Sequence, residues 1–148
     1  MLKINQLKTE NDFQKEGLTK QDYIDFLYNH LGKFGDTKDA IEKSINYAFE
    51  RGGFLLTAYY EDNLVGALVI NNTHMSGFIP ENVLVYVAVD GSYRNKGFGR
   101  EIVEKAIEVC EGDVKLHVEY ENPAKRLYER LGFTSKYAEM RFNKKESK

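Results

Sequence analysis

Apolar and polar positions alternate from Leu2 to Leu7, which suits a short strand with one buried face. The period then changes. Tyr23, Ile24, Phe26, Leu27 and Leu31 share one helical face behind Thr19-Lys20-Gln21-Asp22. That tetrad resembles a capping box with Asp where Glu is usual, and Gly32 and Gly35 break the helix. Ile41, Ile45, Ala48 and Phe49 fall at i, i+4, i+7 and i+8 of a second helix, starting at Asp36 or Thr37 and closed by Gly52-Gly53. Phe54 to Tyr60 and Leu64 to Ile70 form a hairpin about Glu61-Asp62-Asn63, and Asn71 to Glu81 is a polar loop.

Val83 to Val89 is apolar at every position, as in a central strand buried on both faces. The helix after it carries Phe98, Ile102, Val103, Ala106, Ile107 and Cys110 on one face and stops at Gly112. Val114, Leu116 and Val118 alternate as a strand. Asn122 then suits a cap, and Pro123 the first position of a helix with Ala124, Leu127, Tyr128 and Leu131 on one face, closed by Gly132. A last strand covers about Tyr137 to Phe142. The order is strand, two helices, three strands, helix, strand, helix, strand. It predicts an α/β (α+β) sandwich with a mostly antiparallel sheet and one parallel step.

Composition narrows the class. The 148 residues suit one domain spanning 1–148, and 42% hydrophobic with 30% charged residues is ordinary for a globular chain. A net charge of −2 provides no broad basic field for nucleic acid. One cysteine, Cys110, rules out an internal disulfide and fits a reducing compartment. The first residues lack the apolar run of a leader, and no apolar run is long enough to span a bilayer, so a cytoplasmic protein without a membrane partner is expected.

The chemistry concentrates after the apolar strand, in Val87-Ala88-Val89-Asp90-Gly91-Ser92-Tyr93-Arg94-Asn95-Lys96-Gly97-Phe98-Gly99-Arg100. A strand leads through two glycines, one residue apart, into a helix. A helix N-terminus offers unpaired N–H groups and partial positive charge. Glycines remove side chains that would keep an anion away, and Arg94, Lys96 and Arg100 add charge, an arrangement suited to a pyrophosphate. A glycine pair alone is equally a mere tight turn. The dinucleotide fingerprint fails at Ile102, and the phosphate-loop signature is absent.

Arg94-x-x-Gly97-x-Gly99 after an apolar strand resembles the coenzyme A signature [QR]-x-x-G-x-[GA] of the GCN5-related N-acetyltransferases, the GNAT family. A second resemblance follows in Asn122-Pro123-Ala124-Lys125-Arg126-Leu127-Tyr128-Glu129-Arg130-Leu131-Gly132-Phe133, similar to the family's N-x-x-A/S-x-x-L-Y-x-x-x-G-F with the alanine one place early. The two motifs cover Val83 to Phe133, about a third of the chain. The resemblance implies a GNAT-like mixed, mostly antiparallel twisted sheet of six to seven strands flanked by about four helices. It also implies acetyl-CoA as cosubstrate, no metal, and acetyl transfer to an amine acceptor in a ternary complex. The central strand would splay from its neighbour near Val89, freeing backbone groups of Val87 to Val89, Ala88 among them, for the pantetheine arm. Amides from Arg94 to Arg100 would take the pyrophosphate. These are backbone roles, so the side chains of Asn95 and Phe98 would be free to vary. Asn122 would reach the coenzyme's amide arm, and Tyr128 would be the general acid for the leaving thiolate.

The base is less legible. Val83, Leu84 and Val85 stand where some members carry a glutamate on the strand. Glu81 is the first candidate, with Tyr86, Glu119 and His74 behind it. His30 and His117 lack ligand spacing, and Cys110 reads as core. The acceptor walls are expected at about Asn29 to Thr37, Asn71 to Glu81 and the final hairpin. They hold Phe34, Asp36, Phe78 and Glu81, which admit a cationic or partly apolar amine of a small molecule, peptide or protein. Either a monomer or a homodimer is compatible. Two rival readings are a coenzyme-binding regulatory module without catalysis and a ligand-free interaction domain.

Overall fold

Threonines open the first three helices. The carboxylate of Asp12 accepts the Thr9 N–H at 3.0 Å. Thr19 and Asp22 exchange reciprocal bonds of 3.0 Å, and Thr37 Oγ1 accepts the Ala40 N–H at 3.1 Å. These side chains satisfy donors that a helix start leaves unpaired. The structure is a computed structural model and describes residues 1–145. Its contacts divide the chain into two compact units, Met1–Leu116 and a second beginning at His117.

The first unit runs β1 (Lys3–Leu7), α1 (Glu10–Lys15), α2 (Lys20–Leu31), a 3-10 turn (Gly32–Phe34), α3 (Lys38–Glu50), β2 (Gly53–Tyr60), β3 (Asn63–Asn72), β4 (Asn82–Val89), a second 3-10 turn (Gly91–Tyr93), α4 (Phe98–Val109) and β5 (Val114–Leu116). The five strands lie in chain order in one sheet. The first three pairings are antiparallel and β4–β5 is parallel, with α4 as the crossover. The mostly antiparallel sheet with one parallel step is as expected. Among the described residues the strand count of six to seven is corrected to five and the helix count of about four to five. The unforeseen helix is α1, which is short and buries only Phe13.

The register sets the two faces. Leu55, Val69 and Tyr86 lie in one row across β2, β3 and β4. They join Phe13, Tyr23, Ile24, Phe26, Leu27, Ile41, Ile45 and Ala48 of α1 to α3 in one core. The alternate positions serve α4. Gly66 lies against Ile102, close enough that a Cβ there would overlap the Ile102 side chain. Tyr23, fully buried, ties α2 to the sheet: its hydroxyl donates toward the Leu68 carbonyl (2.8 Å) and accepts the Leu68 N–H (3.2 Å).

The strand expected at the sheet's centre is instead fourth of five. Its burial alternates, with Asn82, Leu84, Tyr86 and Ala88 buried and Val83, Val85, Val87 and Val89 only partly covered. The apolar run of β4 therefore does not reflect two equally covered faces.

The second unit contains α5 (Ala124–Arg130). Pro123 sits immediately before the helix rather than at its first position, and Asn122 Oδ1 accepts the Ala124 N–H at 2.9 Å. The helix closes on Gly132 at φ +106°, with the Phe133 N–H donating to the Tyr128 carbonyl at 3.0 Å. The strand expected from Tyr137 to Phe142 is not formed among the described residues; Tyr137, Met140 and Phe142 are exposed. Alternation can select a strand's face, but a strand exists only beside a hydrogen-bonding neighbour, and this segment has no ladder partner among the described residues.

Candidate functional site

The β4–β5 ladder ends at Leu84, paired with Leu116. On the other side, β4 pairs with β3 as Val69↔Tyr86 and then Ile70↔Leu84, so Val85 is the extra residue of a β-bulge. Bulge and parting coincide. Beyond Val85 one edge of β4 has no strand beside it within this unit. The direction of its polar groups follows from one bond: the Asp90 N–H donates to the Val65 carbonyl at 2.8 Å. Antiparallel pairing alternates between residues that face the neighbour and residues that face away. With Asp90 facing β3, Ala88 and Tyr86 do too. The N–H and C=O groups of Val87 and Val89 point to the open edge.

The edge leads into a turn shaped to expose more main-chain nitrogen. Asp90 Oδ1 accepts the Ser92 N–H at 2.8 Å and starts the 3-10 turn. Arg94 is extended, Asn95 is left-handed at φ +66°, and Gly97 is left-handed at φ +82°. Alternation of this kind turns successive N–H groups toward one concavity that suits an anion. Gly97 is the N-cap of α4 and has no side chain to cap it, unlike Thr19 and Thr37. The first-turn amides of Phe98, Gly99 and Arg100 thus lack a side-chain cap. A Cβ on Gly97 would meet no heavy atom within 4 Å, so the concavity is open on that side.

The charged side chains are deployed differently from the simple expectation of a basic rim. Arg94 donates to the His30 carbonyl at the end of α2 (2.8 Å), where a helix C-terminus favours a cation. The Gly91 N–H donates to His30 Nδ1 at 3.3 Å. Arg100 lies 3.4 Å from Glu104, and Lys96 is exposed. The expectation that the Phe98 side chain is free to vary is corrected. Phe98 is 8% exposed, with ring centroids 5.2 Å from Tyr60 and 6.4 Å from Tyr93, and this cluster packs the turn onto the sheet.

Glu81 is not brought to the open edge. It precedes β4 at the end where β4 and β5 are still paired, and its Oε1 accepts the Asp113 N–H at 3.0 Å. It closes the connection into β5. His74, in the loop before it, places Nε2 2.6 Å from the Arg51 carbonyl. Glu119 and His117 are exposed in the second unit. Burial pushes the Cys110 thiol up to about 11, which suits packing rather than nucleophilic work. The sequence missed two features: the bulge at Val85, and a bond of 2.6 Å from the Tyr86 hydroxyl to Asp36 Oδ2. Burial, and then Asp36, push the Tyr86 hydroxyl well above the usual phenol range.

Asn122 and Tyr128 belong to the second unit. Tyr128 is 8% exposed and meets Phe133 edge-on at 5.8 Å. Burial pushes its hydroxyl up to about 12, so it carries its proton at neutral pH. Among the described residues no protein acceptor takes that proton, so the hydroxyl is free to donate. Also among the described residues, no group of three or more His, Cys, Asp or Glu side chains could hold a metal ion, and no helix is long and apolar enough to cross a membrane.

The model of the acetyltransferase (GNAT) family matches residues 19–133. The chain belongs to that family. The matched span takes in the open edge, the left-handed turn and α5, so the two motifs lie inside it. No curated relative matches the chain in sequence. Solved structures share the fold. A possible acetyltransferase from Clostridium difficile 630 is 23% identical, with 97% of both chains covered and a TM-score of 0.66. A ribosomal-protein-alanine N-acetyltransferase from Brucella melitensis biovar Abortus 2308 is 17% identical over 97% of this chain and 99% of that one, at 0.62. A transcriptional regulator from Bacillus halodurans C-125 is 17% identical with the same coverage, at 0.67. At these identities the likeness is one of fold alone.

Proposed function

We propose that this GNAT-family chain transfers an acetyl group from acetyl-CoA to a primary amine of a small molecule, peptide or protein, by direct attack in a ternary complex. The observation that carries this reading is the continuity of two main-chain features: the unpaired edge of β4 at Val87 and Val89, and the left-handed, uncapped turn at Gly97. One is a surface for an extended amide arm and the other a cradle for a diphosphate, joined without a break.

Bound acetyl-CoA supplies the acetyl group as a thioester. The N–H and C=O groups of Val87 and Val89 hold the arm as a neighbouring strand would. An N–H of this edge polarises the acyl carbonyl where negative charge develops. The amides from Asn95 to Arg100 meet the diphosphate with the positive end of the α4 dipole behind them. The half-buried side chains of the same valines give the arm apolar cover. Asn122, whose oxygen caps α5, keeps its NH2 group for the coenzyme's amides. The amine attacks after losing its proton to water, since the open edge carries valines and no carboxylate. The C–S bond breaks as the protonated Tyr128 hydroxyl donates to the departing sulfur, a contribution of about 10²–10⁴-fold in rate for a positioned acid; the nitrogen sheds its remaining extra proton to water, and Tyr128 is reprotonated from solvent.

Thermal unfolding with acetyl-CoA, combined with turnover of Tyr128→Phe, tests this reading. Acetyl-CoA at 100 times its dissociation constant adds about 2.7 kcal/mol of stability, and Tyr128→Phe keeps that shift while turnover falls about a hundredfold. Absence of a shift in the native chain overturns the reading. A shift without acetylation of any amine leaves a coenzyme-binding module instead.

A further inference from the structure

The segment between α2 and α3 holds a carboxylate with no cation on it. Asp36 is exposed and lies between Lys33 and Lys38 in sequence, yet both lysines are engaged elsewhere. Lys33 Nζ sits 5.1 Å from the centre of the Phe34 ring. Lys38 Nζ sits 3.1 Å from Asp25 Oδ1 and 5.1 Å from the centre of the Tyr28 ring. Among the described residues no lysine or arginine forms an ion pair with Asp36. Nor is Asp36 needed as a helix cap, because Thr37 takes that place on α3.

What Asp36 does have is the Tyr86 hydroxyl, donating to Oδ2 at 2.6 Å. Tyr86 comes from β4, between the bulge at Val85 and the open-edge residue Val87. It is 9% exposed and belongs to the core formed by α1 to α3 and the sheet, so it is a rigid post. The post fixes one carboxylate oxygen, and among the described residues the other has no protein donor. The same end of α2 is fastened to the anion-binding turn by Arg94 and Gly91, both bonded to His30. The carboxylate is therefore held in a set relation to the reacting edge.

Resting on the acetyl-transfer reading, we propose that Asp36 binds a second cationic group of the acceptor, so that the substrate is a diamine-type molecule charged at a site other than the amine that is acetylated. Tyr86 acts as a positioning residue that holds the carboxylate. The recognised charge is a separate one for a physical reason. A carboxylate beside the reacting nitrogen would favour its protonated form and slow its attack.

The test compares putrescine with n-butylamine, which differ in the second amine, using the full chain and acetyl-CoA. The native chain prefers putrescine in kcat/KM by about fivefold, the scale of an exposed ion pair. Asp36→Asn removes that preference through KM, Asp36→Glu restores most of it, and Tyr86→Phe weakens it by about twofold. Asp39→Asn, an exposed carboxylate 3.3 Å from Lys43 on α3, leaves the preference in place. Equal use of the two amines by the native chain overturns the proposal. So does loss of the preference in Asp39→Asn, or a fall in Asp36→Asn carried by kcat alone. A chain that shows the acetyl-CoA thermal shift but acetylates neither amine overturns the proposal while leaving coenzyme binding intact. A chain that shows no shift sinks the function reading first.

Discussion

The two halves of β4 are chemically alike in sequence and opposite in use. From Asn82 to Leu84 the strand is hydrogen-bonded on both sides, and the polar groups around it are saturated. Asn82, 4% exposed, donates to the carbonyls of Glu111 (2.8 Å) and Asp113 (3.2 Å), and Glu81 accepts the Asp113 N–H. Beyond the bulge at Val85 one edge has no strand beside it within the first unit, among the described residues, and the polar groups of Val87 and Val89 point to that edge. One half holds the sheet to β5; the other keeps its hydrogen-bonding capacity, which the proposed function uses for the coenzyme arm. In the proposed function, binding surface is made by withholding a neighbour rather than by adding special side chains.

Three substitutions separate the halves. Gly97→Val acts on the open half and has the largest effect. A β-branched residue at φ +82° is strained, and its side chain enters the concavity. Acetyl-CoA affinity, measured by isothermal titration, falls by more than about tenfold, or over 1.4 kcal/mol. Retention of native affinity would remove the turn from the binding site. Asn82→Ala acts on the paired half. It removes the side-chain bonds to the carbonyls of Glu111 and Asp113, while the Asp113 carbonyl keeps the Asn82 N–H, at a cost of about 1–3 kcal/mol for the two bonds, read as a lower denaturant midpoint, with the acetyl-CoA-induced shift preserved. Loss of that shift would mean the halves are not independent. Glu81→Gln has the smallest effect. An amide oxygen still accepts the Asp113 N–H, so stability falls by about 0.5–1.5 kcal/mol at most, and turnover stays native. A collapse of turnover would support Glu81 as the base.

What the sequence revealed depended on how local the physics was. Gly97 was legible because a left-handed helix start selects glycine within a few residues of the chain. The cap at Thr19, a second helix start at Asp36 or Thr37, the hairpin and the parallel step were legible for the same reason. Helix α1 had a local signal too, in Thr9 and Asp12, but one buried phenylalanine is too weak a stripe to draw attention. The bulge was hidden because Val85 looks like Val83 and Val87, and a register shift depends on the partner strand. Tyr137 to Phe142 shows the converse, an alternating pattern that is not paired among the described residues. The Tyr86–Asp36 bond joins positions 50 residues apart and left no trace in either neighbourhood. The Phe98 side chain was misjudged because its role comes from Tyr60, which lies on a strand remote in sequence.

The bare margin of β4 also has a cost for the protein in the absence of ligand. Unpaired, β-branched backbone is a template on which a foreign strand can add, the usual route to edge-to-edge aggregation. The kink at Val85 limits that hazard, since it twists the exposed stretch away from the flat geometry another strand requires. Straightening it would therefore trade solubility for a more regular sheet.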